Sequence, residues 1–207
     1  GAHNINLVNP THYAHIVREL LLRYPQPVPV VWNSGGYDRV ETLRSLEGLI
    51  DVYLPDLKYL DAGAAQRYSA APDYPETARA AIQEMVRQTG PCVFDDAGML
   101  IRGTVIRHLI LPGHVQNSLK VLDYVAEHFP KGTVLLSLMA QYVPSGTAAA
   151  MPPYDRPITA EEYRAAVDWL YMLGLEDGFL QERSAATDAY LPDFSLEGIL
   201  EIGRESE

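Results

Sequence analysis

Ile50-Asp51-Val52-Tyr53-Leu54-Pro55-Asp56-Leu57-Lys58 runs from an apolar, strand-like stretch into a polar cluster. Four other segments repeat the pattern. Ile5-Asn6-Leu7-Val8 runs into Asn9-Pro10-Thr11-His12, and Val28-Pro29-Val30-Val31 runs into Trp32-Asn33-Ser34-Gly35-Gly36-Tyr37. Val105-Ile106-Arg107-His108-Leu109-Ile110-Leu111 runs into Pro112-Gly113, and Val134-Leu135-Leu136-Ser137-Leu138-Met139 runs into Ala140-Gln141-Tyr142. Buried parallel strands read as apolar runs, and ligands of α/β folds sit at their carboxyl ends. The pattern predicts an α/β fold with its site at those ends.

Helical spacing fills the gaps. Ile16, Val17, Leu20 and Leu21 share a helical face within residues 13–24, with Thr11 as candidate N-cap. Val40, Leu43 and Leu46 predict a helix over 37–46, closed by Gly48. A short helix is expected over 61–69, and Pro75 opens a longer one reaching Thr89. Residues 92–102 read as a hairpin around Asp95-Asp96-Ala97-Gly98 whose second arm continues into the strand at 104–111. A helix over 115–129, the strand at 134–139 and a loop over 145–157 follow. Thr159-Ala160-Glu161-Glu162 is a capping-box pattern opening a helix to Leu173. Gly178-Phe179-Leu180-Gln181 is a weak last strand. The alternation implies a parallel sheet with right-handed crossovers. Five firm strands and one weak one are too few for a closed eightfold barrel and suit an open partial barrel. Residues 1–194 are expected to form one domain, with 195–207 a peripheral tail.

The 207 residues suffice for one such domain with a real core. A formal net charge of −11 opposes a nucleic-acid backbone or an anionic membrane as partner, while small anions need only a local cation. Cys92 is the sole cysteine, so no internal disulfide can form, which fits a reducing compartment. No apolar run reaches membrane-span length and no secretory signal opens the chain. The expected location is cytoplasmic. The chain opens inside its first strand, which reads as a fragment.

Several residues are suited to chemistry. The glycines of Asn33-Ser34-Gly35-Gly36 permit close backbone approach to an anion, or simply serve a strand–helix turn. Alternation puts Asp56 and Lys58 on one face, either as a holder of an amine or carboxylate or as a surface ion pair of little worth. Arg107, inside an apolar strand, needs an acidic partner and reads as a ligand-facing cation. His108 reads as a satisfied structural histidine, and Cys92 as a buried, inert thiol. His12 and His15 lie three apart on an expected helix, the spacing of a metal pair with no evident third ligand. The 13 tyrosines are dispersed and offer no stacking platform for bases.

These strings resemble a known family. The opening from Gly1 to Tyr13, Ile50 to Tyr59, Arg107 to Gly113 and Ser137 to Tyr142 are similar to radical S-adenosylmethionine (radical SAM) proteins. The group they resemble most is the pyruvate formate-lyase activating enzyme homologues of unassigned substrate, over about residues 1–194. The resemblance implies a partial (β/α)6 TIM-like barrel, S-adenosylmethionine as cofactor, and a [4Fe–4S] cluster held by a CxxxCxxC loop after the first strand. That loop is absent from this chain, so the N-terminal strand and cluster loop are expected upstream, and the chain alone is expected to be inactive. The activity implied for the whole protein is reductive cleavage of S-adenosylmethionine to start radical chemistry. Its implied partners are an electron donor and a protein substrate of the glycyl radical enzyme kind. Asn9-Pro10-Thr11-His12 occupies the place of the Gly-Gly-Glu motif without matching it. Asn33 and Ser34 resemble the turn near the cofactor carboxylate. Asp56 and Lys58 match an Asp-x-Lys near the cofactor, Arg107 matches an arginine that reaches it, and Gln141 or Tyr142 occupies the place of a histidine near the adenine. A second reading is a cluster-free, metal-dependent hydrolase or isomerase barrel using His12, His15 and Asp56.

Overall fold

The computed structural model describes residues 1–182. The expected boundary between residues 194 and 195 lies outside the described residues. Seven strands form one sheet: β1 (Ile5–Val8), β2 (Val30–Ser34), β3 (Val52–Pro55), β4 (Val93–Phe94), β5 (Leu100–Leu109), β6 (Val134–Met139) and β7 (Phe179–Leu180). Six of them run parallel in the order β1-β2-β3-β5-β6-β7, and β4 folds back antiparallel on β5. The weak last strand of the sequence is therefore a sheet member, and the hairpin arm runs unbroken into β5. Among the described residues β1 and β7 are free edges, so the sheet is open. This architecture is consistent with a partial α/β barrel.

Six helices connect the strands: α1 (Ala14–Arg23), α2 (Val40–Ser45), α3 (Ala62–Ser69), α4 (Tyr74–Thr89), α5 (Val115–His128) and α6 (Ala160–Met172). Their caps follow local chemistry. The Asp61 side chain accepts from the Ala64 amide to start α3, and Pro75 sits in the first turn of α4. Thr159 and Glu162 form the expected capping box at α6. The Glu162 carboxylate also accepts from the Gly113 amide at 2.6 Å and takes both prongs of Arg156, at 2.8 and 2.9 Å.

Thr11 does not cap α1 as expected. Pro10–Tyr13 form a 3-10 turn first, and the Thr11 hydroxyl donates instead to Asp38 at 2.7 Å. The helix expected over 37–46 shrinks to six residues because Asp38 is held inward by this bond and by Ser34.

Strand alternation divides the sheet into two faces. Val30, Trp32, Tyr53, Ile106, Ile110, Leu136 and Leu138 are buried and belong to the two apolar clusters that the helices complete. Leu43, Leu46, Ile82 and Met85 reach into the same layer and are fully buried. Truncating any one of them to Ala would cost about 2–5 kcal/mol. The opposite face carries two register rows. One runs Val8–Asn33–Leu54, and the next runs Asp56–Arg107–Ser137–Phe179.

Tyrosines that are dispersed in the sequence meet in space. Tyr37, Tyr74, Tyr59, Tyr68, Tyr154 and Tyr142 form a continuous series of ring contacts along the carboxyl-end rim. The expectation that they are scattered holds for the chain and fails for the fold.

Candidate functional site

Asp56 follows the last residue of β3, and its backbone still bridges to Arg107 of β5. The Leu57 amide donates to the Arg107 carbonyl at 2.8 Å, and the Asp56 amide donates to the Ser34 carbonyl at 3.0 Å. Both side chains therefore leave the sheet on the helix-free face at the same level. Arg107 Nη2 lies 2.7 Å from Asp56 Oδ1, and Lys58 Nζ lies 3.9 Å from Oδ2. A cavity of about 310 Å3 opens here, lined by Asp56, Lys58, Tyr59, Arg107, Leu109 and Met139.

The electrostatics of this mouth are unfinished. Asp56 is mostly buried, and that desolvation pushes its carboxyl up, against the lowering pull of Arg107 and Lys58. Among the described residues, Arg107 Nε and Asp56 Oδ1 are buried without a hydrogen-bond partner. Oδ1 thus has its ion pair yet no aligned donor. A buried polar group in this state gains from any ligand that completes it.

The backbone beneath the mouth is closely packed. Gly36 has φ +76°, and a Cβ there would lie 2.0 Å from the Asp56 carbonyl oxygen. Tyr74 Oη donates to the carbonyls of Gly35 and Asp56, at 3.0 and 2.8 Å, and accepts from the Lys58 amide at 3.0 Å. Gly36 thus lets the strand–helix turn cross over Asp56.

The remaining expected residues divide. Asn33 faces the same side as Asp56, one strand over and one row lower, about 8 Å away by sheet geometry. It is not among the cavity lining. Ser34 does not face the mouth. It points to the helix side, and its buried hydroxyl donates to Asp38. Gln141 follows the end of β6, is not among the cavity lining, and its Oε1 accepts from Gln181 Nε2 at 2.8 Å. Tyr142 turns away and donates to the Tyr154 carbonyl at 2.9 Å.

His108 is fully buried between Leu57 O at 2.7 Å and Ser118 Oγ at 2.9 Å, and burial lowers its pKa to about 4. Cys92 lies at the amino-end of β5, where Sγ points at the carbonyls of Thr104 and Thr133, and burial pushes its thiol up. His12 and His15 are exposed around the start of α1. Among the described residues no three His, Cys, Asp or Glu side chains are grouped to hold a metal, so the geometry gives the His12, His15 and Asp56 set no support.

Sequence reasoning missed Tyr59 and Tyr74. No spacing or motif singles them out in the sequence, and only the fold shows that one lines the mouth and the other ties down its floor.

The fold is shared with a solved structure. A crystal structure of a domain of pyruvate-formate lyase-activating enzyme from Bacteroides vulgatus ATCC 8482 matches 88% of this chain and 99% of that domain, with TM-score 0.57 and 16% identity. At that identity the likeness is one of fold. The uncharacterized protein MJ0674 of Methanocaldococcus jannaschii is 28% identical over 168 residues, which cover 80% of this chain and 45% of that protein. The chain spans less than half the length of the curated relative it matches. No family model matches the chain. Among the described residues no helix is long and apolar enough to cross a membrane.

Proposed function

We propose that residues 1–194 are the cofactor-binding part of a radical SAM enzyme of the pyruvate formate-lyase activating type. The observation that carries this reading is the mouth itself: one carboxylate, Asp56, between two cations, Arg107 and Lys58, with the buried Arg107 Nε left without a partner among the described residues. An amino-acid zwitterion fits that pattern. Its ammonium would meet Asp56 and its carboxylate would meet Arg107 and Lys58, each contact charge-assisted. The shared fold with a domain of an activating enzyme is consistent with this class.

S-adenosylmethionine presents such a zwitterion and, when bound, supplies a sulfonium carbon whose reductive cleavage starts radical chemistry. Asp56, Lys58 and Arg107 would orient its methionine end, with Asn33 a row below and Gln141 at the neighbouring strand end. A [4Fe–4S] cluster does not fit these residues. Cys92 is the only thiol, half-buried and at the opposite end of β5.

The cluster ligands would come from a further βα unit added to the free edge of β1. α1 supports that addition. Ile16 and Leu20 on it, with Tyr13 and Tyr24 at its two flanks, follow one another at helical spacing, and each is more than half exposed. The electron donor and a glycyl radical enzyme as substrate would be partners of the whole protein.

Calorimetric titration of the chain with S-adenosylmethionine tests the mouth. Binding in the wild type that falls at least about tenfold in Arg107→Ala is expected, the loss of a charge-assisted pair. Equal affinity of wild type and Arg107→Ala, or no binding by the wild type, would overturn the assignment.

A further inference from the structure

The rim tyrosines make a pathway with one distinctive member. Tyr37 stacks on Tyr74 at 5.8 Å, Tyr74 meets Tyr59 edge-on at 5.8 Å, and Tyr59 lies 6.3 Å from Tyr68. His114 meets Tyr68 at 5.2 Å between ring centres, and Tyr68 Oη lies 3.1 Å from His114 Nε2. Of the six rings, Tyr59 lines the mouth cavity.

We propose that Tyr68 and His114 form a redox-active tyrosine–histidine pair, connected to the mouth through Tyr59. A phenol that loses an electron becomes strongly acidic, and its oxidation is easy only where a base takes the proton at once. The rim tyrosines differ on this point. Tyr74 and Tyr142 donate to backbone carbonyls, which are not bases at neutral pH. Tyr154 stacks face-on on the His114 ring at 5.4 Å, a geometry that gives its hydroxyl no ring nitrogen to donate to. Tyr68 is the rim tyrosine whose hydroxyl meets an imidazole nitrogen, at 3.1 Å. Burial first, then Arg67, lower the pKa of His114, so the ring is neutral at pH 7 and open to a proton. Tyr37 donates to the Asp73 carboxylate at 2.7 Å and is the surface end of the series.

A carbon-centred radical in the mouth takes the hydrogen atom of the Tyr59 O–H bond and becomes a C–H compound. The Tyr59 radical accepts an electron from Tyr68 and a proton from solvent. The Tyr68 O–H proton passes to His114 Nε2, leaving a neutral tyrosyl radical beside an imidazolium. A stray radical is thereby moved from the mouth to a pair designed by its surroundings to hold it. The identity of the oxidant rests on the radical reading above, whereas the pair is a property of this chain.

Flash oxidation of the purified chain by photogenerated ruthenium(III) tris-bipyridine, with persulfate as terminal acceptor, tests the pair without S-adenosylmethionine or a cluster. Its failure is therefore distinguishable from failure of the cofactor titration. Tyrosyl formation is followed by transient absorption and freeze-quenched electron paramagnetic resonance. The long-lived tyrosyl component is expected to be lost in Tyr68→Phe. Its formation should slow by about tenfold or more in His114→Gln, which removes the base. Tyr154→Phe, a packing control, should retain the signal. An unchanged long-lived component in Tyr68→Phe, an unchanged formation rate in His114→Gln, or equal loss in Tyr154→Phe would each overturn the proposal.

Discussion

Arg107 of β5 and Asp56, the residue after β3, bridge in parallel register, and their side chains close to 2.7 Å on the face opposite the two apolar clusters. The contact is partly desolvated and incompletely hydrogen-bonded, so its partners depend on each other. Asp56→Ala is expected to destabilise the fold by about 1–2 kcal/mol, less than a fully buried pair because Arg107 keeps some solvent. Urea unfolding checks this. A loss below the measurement error would show that the pair is only a surface contact.

Gly35 and Gly36 are adjacent and should behave oppositely. A Cβ at Gly36 would overlap the Asp56 carbonyl, and its φ of +76° disfavours any L side chain. Gly36→Ala should cost at least about 2 kcal/mol and weaken binding at the mouth, since Asp56 must move. A Cβ at Gly35 meets Lys58 Nζ at 3.8 Å, an ordinary contact. Gly35→Ala should stay within about 1 kcal/mol of wild type. Thermal melts of the two variants give the comparison.

His108 should make the fold acid-sensitive. Its folded pKa is lowered from 6.5 to about 4 by burial, so the neutral ring is the form the fold accepts. For a base shifted down, the stabilising contribution is fully present above pH 6.5 and is lost as pH falls toward about 4. The loss across that window is on the order of 3 kcal/mol. The slope of unfolding free energy against pH should flatten in His108→Gln, whatever the variant's absolute stability. A persistent slope would assign the proton uptake elsewhere.

Leu20 reports on the free edge. In this chain Leu20 is half exposed, so Leu20→Lys should change stability by no more than about 0.5 kcal/mol. In a longer chain carrying the proposed additional βα unit, the same change should cost about 2 kcal/mol or more, because the side chain would then be buried. Equal small effects in both would show that α1 faces water there.

The elements were readable where a single local rule decided them. Thr159 and Glu162 announce the start of α6, Pro75 the start of α4, and the run from Val134 to Met139 is a strand in both sequence and structure. Misreadings arose where a distant partner competed. Thr11 looks like a cap, but Asp38, 27 residues away, takes its hydroxyl. Ser34 looks like part of a ligand turn, but strand alternation sends it to the helix side, where the same Asp38 waits. In the candidate site, Asp56 and Lys58 were visible because charges ending an apolar strand stand out, and Arg107 because a charge inside one does. The tyrosine series was not visible, because no spacing rule joins Tyr37 to Tyr142.

Glu162 binds three stretches of chain with one carboxylate: its own helix start at Thr159, the turn at Gly113 and the loop residue Arg156. Gly113 is pressed as well, for a Cβ there would lie 2.4 Å from the Pro153 ring. The rim is thus riveted at one point. Evolution can lengthen the loop upstream, around residues 145–151, without disturbing the rivet. Between 153 and 162 a single inserted residue would unlatch the β5–α5 turn and α6 together.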